Sequence, residues 1–297
     1  MNRMNRRNFL QTTCAAGAGL GVSLLGSNYL AAKEAKAVDK LGWRLGLQAW
    51  TFHKDTLFEA IDNTAALGLR YIEAFPGHRL SKEKPDILFG EDSPPEVRSE
   101  VKKKLSDSGV KLVNFGCCLL SNDPDQCRKM FDFAKDMGIE TLVSEPDKEA
   151  FDTVEKLCEE YGINVAIHNH ADPSPYWNPD TILAICKGRG KRLGACADTG
   201  HWARAGLNPL DCLKKLEGRI ISLHLKDRDK MGKKDSHEVP WGTGVCDVKA
   251  LLAEIKRQDI QPFFAIEYEY NWGKAMPEIA QCVEFFHETA EQLAAKC

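Results

Sequence analysis

The sequence predicts a closed (β/α)8 barrel of parallel strands over residues 38–297, preceded by a separable segment over residues 1–37. Three observations lead there. From residue 43 onward, eight short apolar runs alternate with amphipathic stretches of helical period. Glycines stand where helices must stop, and prolines stand near where they start. The 260 residues left after the first 37 match a single barrel of this kind, typically about 250 residues.

The opening segment reads differently from the rest. Arg3, Arg6 and Arg7 give it a basic start, and a Gly/Ala-rich apolar run follows from Thr12 to Leu25. Ala35-Lys36-Ala37 supplies an A-x-A cleavage site. The Arg6-Arg7-x-Phe9-Leu10 core resembles a twin-arginine export signal, which implies the export machinery as a partner and a periplasmic destination for a chain already folded. The apolar run is short against the roughly 20 residues a membrane span needs, so no stable membrane insertion is expected after cleavage.

The elements then follow in order. Strand-like runs cover Trp43–Trp50, Arg70–Phe75, Val110–Cys117, Thr141–Ser144, Asn164–His168, Leu193–Ala197, Ile220–Leu225 and Phe263–Tyr268. Helical patterns cover Thr56–Leu67, Pro95–Ser106, Pro124–Met137, Ala150–Tyr161, Pro179–Lys187, Pro209–Leu216 and Val248–Gln258, with a last helix over Pro277–Ala294. Gly68, Gly109, Gly138 and Gly162 each separate a helix from the next strand. Strict strand–helix alternation implies parallel strands joined by right-handed crossovers. No glycine-rich phosphate loop follows the first strand, which counts against a dinucleotide fold.

Composition narrows the function classes. The chain is 43 % hydrophobic and 28 % charged, with a formal net charge of −3. Loss of residues 1–37 removes five basic residues and one acidic residue, leaving −7. An acidic protein without a basic stripe is a poor nucleic-acid binder. Of eleven cysteines, one leaves with the first segment and the rest show no framework spacing. They read as buried thiols of a chain folded before export.

In a barrel of this type, function sits at the C-terminal ends of the strands. Those ends carry Glu145, then His168-Asn169-His170, then Asp198-Thr199-Gly200-His201, then His224-Leu225-Lys226-Asp227, then Glu267-Tyr268-Glu269. A single strand-end His or Asp is ordinarily a hydrogen-bonded loop residue. Five consecutive strands ending in such groups point instead to one divalent cation held by oxygen and nitrogen, Mn²⁺, Mg²⁺, Co²⁺, Fe²⁺ or Zn²⁺. Glu73, closing the second strand, is a further candidate for contact with substrate. Trp50, Phe75, Trp202 and Trp241 are candidates to cover the barrel mouth and stack on a substrate face.

Four segments also carry a family resemblance: Gly194–His201 (GACADTGH), Ser222–Asp227 (SLHLKD), Val239–Asp247 (VPWGTGVCD) and Ala265–Glu269 (AIEYE). They resemble the xylose-isomerase-like TIM barrels, the superfamily of sugar phosphate isomerases and epimerases, whose relatives include inosose dehydratases and endonuclease IV. The resemblance implies Asp198, His224 and Glu267 as metal ligands and His201 and Lys226 as substrate contacts. One departure stands out. Epimerases of the family carry a metal-binding Glu at the end of strand five, where this chain reads Ala166-Ile167-His168-Asn169-His170. That HNH run is similar to inosose dehydratase and keto-sugar hydratase or lyase branches. Glu145 is then the candidate replacement ligand, also with a catalytic role, and His168 is either ligand or base.

The expected chemistry is proton abstraction next to the carbonyl of a sugar or keto-sugar by a metal-dependent isomerase or epimerase, through an enediolate. Glu267 or His168 would be the base, and His170, His201 and Lys226 would meet the oxygens where charge develops. Elimination by a dehydratase, hydratase or glycoside lyase shares the first step, and export disfavours phosphorylated substrates. A non-catalytic sugar-binding barrel is the remaining reading, and homo-oligomer formation is left open.

Overall fold

The computed structural model describes residues 37–295. The export segment expected over residues 1–37 therefore falls, but for its last residue, outside the described residues. Eight parallel strands close into a barrel: β1 (Arg44–Gln48), β2 (Tyr71–Ala74), β3 (Lys111–Cys118), β4 (Thr141–Ser144), β5 (Asn164–His168), β6 (Leu193–Asp198), β7 (Ile220–Leu225) and β8 (Phe263–Ile266). Each strand pairs with its sequence neighbours, and β1 closes on β8 through Arg44 opposite Phe263 and Gly46 opposite Ala265. All eight expected strands are present.

Among the described residues, nine α-helices lie between and after the strands: α1 (Leu57–Ala66), α2 (Pro95–Ser108), α3 (Pro124–Met137), α4 (Phe151–Tyr161), α5 (Pro179–Cys186), α6 (Thr199–Arg204), α7 (Pro209–Lys215), α8 (Val248–Arg257) and α9 (Met276–Ala294). Their starts obey local capping chemistry. Thr56 and Glu59 form a reciprocal capping box on α1. Asp123, Asn178 and Asn208 accept backbone N–H groups ahead of Pro124, Pro179 and Pro209.

Two features lie outside the expected pattern. Helix α6 starts immediately after β6, with Asp198 as its cap, and six residues are too few to show an amphipathic period. A short antiparallel pair, His78–Arg79 with Leu88–Phe89, is inserted in the loop after β2.

Apolar side chains fill two compartments. Between strands and helices lies the main core, including Leu47, Ile72, Phe115, Phe131, Leu142, Phe264 and Phe286. Inside the barrel, Val113, Phe263 and Ala265 form one cluster and Val143, Ala166 and Cys196 another, so the lumen is packed rather than open. All nine described cysteines are free thiols. No helix among the described residues is long and apolar enough to cross a membrane.

Candidate active site

Strand register assembles the site. Asp198 on β6 pairs directly with His224 on β7. Gln48, Glu73 and Asn114 stand side by side on β1, β2 and β3. Beyond the last residue of β8, Glu267 and Glu269 come beside Lys226, just past the end of β7.

Four buried side chains, His168, Asp198, His224 and Glu267, place one ligand atom each within 4.8 Å of one another. Both ring nitrogens of His168, Oδ2 of Asp198 and Nδ1 of His224 lack a well-formed hydrogen bond. Oδ2 of Asp198 nevertheless lies 3.1 Å from Lys226 Nζ, and His224 Nδ1 lies 3.2 Å from Glu267 Oε2, so charge proximity is present where directed bonding is not. Buried polar atoms are rarely left this way.

The charge balance fits a dication. Glu73, Asp198 and Glu267 are buried together, with Lys226 as the buried ammonium among them. Burial opposes charge on His168, yet Cys117, Asp198 and Glu145 lift its pKa well above the ordinary range. Burial likewise opposes charge on His224, which its neighbours, Glu73 and Glu267 among them, also raise. Burial would raise Glu267, but Lys226 and His224 outweigh it and hold the carboxyl low. The pocket thus draws positive charge onto the His168 and His224 imidazoles. A divalent cation would discharge the same surplus while releasing those protons, and the two-imidazole, two-carboxylate donor set suits a borderline or hard ion.

Glu145 is not one of these four, against the ligand role expected for it. Its carboxylate is consumed elsewhere: Oε1 accepts the backbone N–H of His170 at 2.9 Å and faces His170 Nδ1 at 2.7 Å, and Ser174 Oγ donates to the same carboxylate at 3.0 Å. Partial burial would raise the Glu145 carboxyl, but the neighbouring His168 and His170 hold it well below the usual carboxylate range. The HNH run is thereby divided into three tasks. His168 belongs to the buried quartet and His170 pairs with Glu145. Asn169 braces β6, donating to the Asp198 carbonyl at 3.0 Å and accepting the Asp198 N–H at 2.9 Å.

Glu73, expected to touch substrate, is fully buried beneath the quartet. It takes His224 Nε2 at 2.9 Å, Asn114 Nδ2 at 3.2 Å and Gln48 Nε2 at 3.3 Å. A carboxylate on the far nitrogen of an imidazole fixes its tautomer and orientation. Trp241, also expected at the substrate, is buried against Phe286, and Trp202 is wholly enclosed.

A cavity of about 300 Å³ opens at the His168 and Glu267 side of the quartet. Its lining includes Gln48, Trp50, Phe75, Cys117, His168, His170, His201, Glu267 and Glu269. Trp50 stacks on His53 and meets Phe75 edge-on, making one aromatic wall. Lys226 reaches Glu267 at 2.6 Å and Glu269 at 2.7 Å. Burial pushes His201 well below the ordinary histidine range, so its ring stands neutral. Cys117, Gln48 and Glu269 were not singled out as site residues from the sequence. Only Glu269 carried a signal, as part of the strand-eight AIEYE run.

Asp227 explains the glycine-rich segment before α8. Its carboxylate accepts N–H groups from Arg228, Gly242, Gly244 and Cys246 at 2.9–3.0 Å. A Cβ on Gly244 would sit 2.4 Å from both the Asp227 carboxylate and the Arg228 carbonyl, so only glycine fits there.

The model of the family described as xylose isomerase-like TIM barrel matches residues 61–288. The chain belongs to that family. A solved structure of an uncharacterized protein from Parabacteroides distasonis is 35 % identical, with a TM-score of 0.68 over 83 % of this chain and 99 % of that one. Two more distant structures share the fold. One is a xylose isomerase-like TIM barrel protein from Mycobacterium smegmatis in complex with magnesium, at 13 % identity and TM-score 0.66, covering 85 % and 98 % of the two chains. The other is an L-ribulose 3-epimerase, at 14 % identity and TM-score 0.62, covering 86 % and 96 %. No curated protein sequence matches this one.

Proposed function

We propose that this family member is a divalent-metal-dependent enzyme acting on a sugar or keto-sugar, and that it removes a proton from the carbon next to a carbonyl. The observation that carries this is the convergence of His168, Asp198, His224 and Glu267, two of which, His168 and Glu267, line the cavity that His170 also lines. Those four side chains would hold the cation. When bound it supplies Lewis acidity toward the carbonyl oxygen and an adjacent hydroxyl.

The chain's own groups divide the remaining work. With Nδ1–H donated to Glu145, His170 keeps a lone pair on Nε2 and serves as the base, oriented as imidazoles in carboxylate–imidazole pairs are. The C–H proton passes to Nε2, and the electron pair enters the enediolate. The Lys226 ammonium and the neutral His201 ring lie close enough to the floor to meet oxygens on which charge develops. Trp50 and Phe75 cover one sugar face. His168 is assigned as a ligand rather than a base, because it is 1 % exposed and faces Asp198.

Return of the proton to carbon gives isomerisation or epimerisation, the latter being the activity for which the L-ribulose 3-epimerase is named. Loss of a β-substituent gives dehydration or lyase chemistry. The second outcome is favoured by one feature: His168 stands where a two-carboxylate epimerase would present its second glutamate. Export through the twin-arginine route, proposed from residues 1–37, would direct the enzyme to unphosphorylated substrates in the periplasm.

The test is deuterium exchange from D₂O into a panel of free and glycosidic keto-sugars, with metal-stripped and Mn²⁺-reloaded protein. Exchange that requires metal supports the reading. A retained carbon skeleton marks isomerisation, and release of water or aglycone marks elimination. Full activity in Glu267→Gln, or exchange indifferent to metal, would sink it.

A further inference from the structure

The cavity wall carries a second group of ligand atoms, different in chemical character from the quartet. Cys117, His168 and His170 place one sulfur and two imidazole nitrogens within 4.8 Å of one another. The quartet presents two nitrogens and two carboxylate oxygens. This trio replaces both oxygens with one thiol sulfur, which shifts the preference toward soft and borderline cations.

Two further observations point to a ligand there. His168 is almost fully buried, and neither of its ring nitrogens has a hydrogen-bond partner. Its Nε2 faces Asp198 at 3.5 Å, within the quartet, whereas Nδ1 faces Glu145 Oε1, the oxygen that also meets His170 Nδ1. One imidazole therefore turns Nε2 toward the quartet and Nδ1 toward the Glu145–His170 side, with no well-formed hydrogen bond at either nitrogen. The strand end bearing Cys117 is also clamped. The Gly116 carbonyl accepts Gln48 Nε2 at 2.7 Å, and the Cys118 carbonyl accepts Ser144 Oγ at 2.8 Å. A Cβ on Gly116 would lie 2.4 Å from Val143, so β3 and β4 are in close contact at that point.

We propose that Cys117, His168 Nδ1 and His170 form a second cation site, specific for thiophilic ions of the Cd²⁺, Zn²⁺ or Cu⁺ class, on the cavity wall beside the quartet. Binding forms a sulfur–cation bond and sends the Cys117 proton to solvent. A cation held there lies within the substrate cavity and competes with substrate for it. The proposal is independent of which reaction the enzyme performs.

The test uses the metal-stripped full chain titrated with Cd²⁺ and, separately, with Mn²⁺. The readouts are thiolate-to-cadmium charge-transfer absorption in the ultraviolet and direct binding by equilibrium dialysis. Wild type is expected to show the band. Cys117→Ser should abolish it while leaving Mn²⁺ binding intact. His170→Ala should weaken Cd²⁺ binding at the band by at least about tenfold, the loss that follows removal of even a supporting residue of a metal site. Circular dichroism confirms that both variants are folded. A band that survives Cys117→Ser comes from another thiol and overturns the proposal, as does an unchanged Cd²⁺ affinity in His170→Ala.

Discussion

Glu73→Gln separates two roles for a fully buried carboxylate of the site. Gln is nearly isosteric and keeps one acceptor oxygen, so one of the two bonds, from Gln48 to Oε1 or from Asn114 to Oε2, persists while the other donor meets the amide nitrogen, and the barrel should stay folded at some cost in stability. What is lost is the anionic acceptor 2.9 Å from His224 Nε2, which fixes the ring's tautomer and strengthens its other nitrogen as a donor. Removing such a partner costs roughly 10- to 100-fold in metal affinity, or about 1.4 to 2.7 kcal/mol at about 1.36 kcal/mol per decade. The assay is competition between protein and a calibrated chelator for Mn²⁺ or Zn²⁺, with a urea melt to verify folding. A folded variant with wild-type metal affinity and a raised KM would refute the reasoning and return Glu73 to the substrate. Glu73→Ala is the harsher change. It strands His224, Gln48 and Asn114 in a buried setting and should cost about 3 kcal/mol or more of stability.

Other predictions follow from the same geometry. Glu145→Gln should lower kcat by about 10²- to 10⁴-fold with a smaller loss of metal affinity, because its close bonds go to His170 and Ser174 while it meets the quartet only at His168 Nδ1, 3.7 Å away; steady-state kinetics beside a metal titration checks this. Asp227→Ala removes the acceptor of four backbone N–H groups. It should destabilise the chain by about 3 kcal/mol or more and expose residues 240–246 to limited proteolysis, with Asp227→Asn intermediate. Burial lowers His78 from 6.5 to about 4. The unfolded chain therefore takes up a proton that the folded chain refuses, and stability falls as pH drops from 6.5 toward 4, by about 3 kcal/mol in all. Urea melts of His78→Phe across that window should show this part of the slope gone. Saturating Mn²⁺ at about 100 times its dissociation constant should raise wild-type stability by about 2.7 kcal/mol, and Asp198→Asn should lose most of that gain.

The legibility of the site differed from residue to residue. Asp198, His224 and Glu267 stood out because they close successive apolar strands inside recognisable motifs. His168 and Glu145 could not be ranked as ligands, since both are strand-end groups and nothing local says whose side chain is already taken. Ser174 and the His170 backbone decide it by occupying Glu145. Trp241 lies within a motif that belongs to the site region, yet its ring turns into the core against Phe286. Cys117 looked like one of many packing thiols until β3 set it on the cavity wall.

The sequence by itself determined the strands, most of the helices and the closed parallel barrel, because apolar periods, caps and glycine stops act within a few residues of chain. Only the tertiary structure decided which polar ends share an atom-scale neighbourhood. That depends on strand register and barrel closure, which set Glu73 under His224 across 151 residues of chain and leave Glu145 25 residues from the histidine it serves. Those distances carry no local signal. The burial they create turns ordinary strand-end residues into a charged pocket suited to a cation.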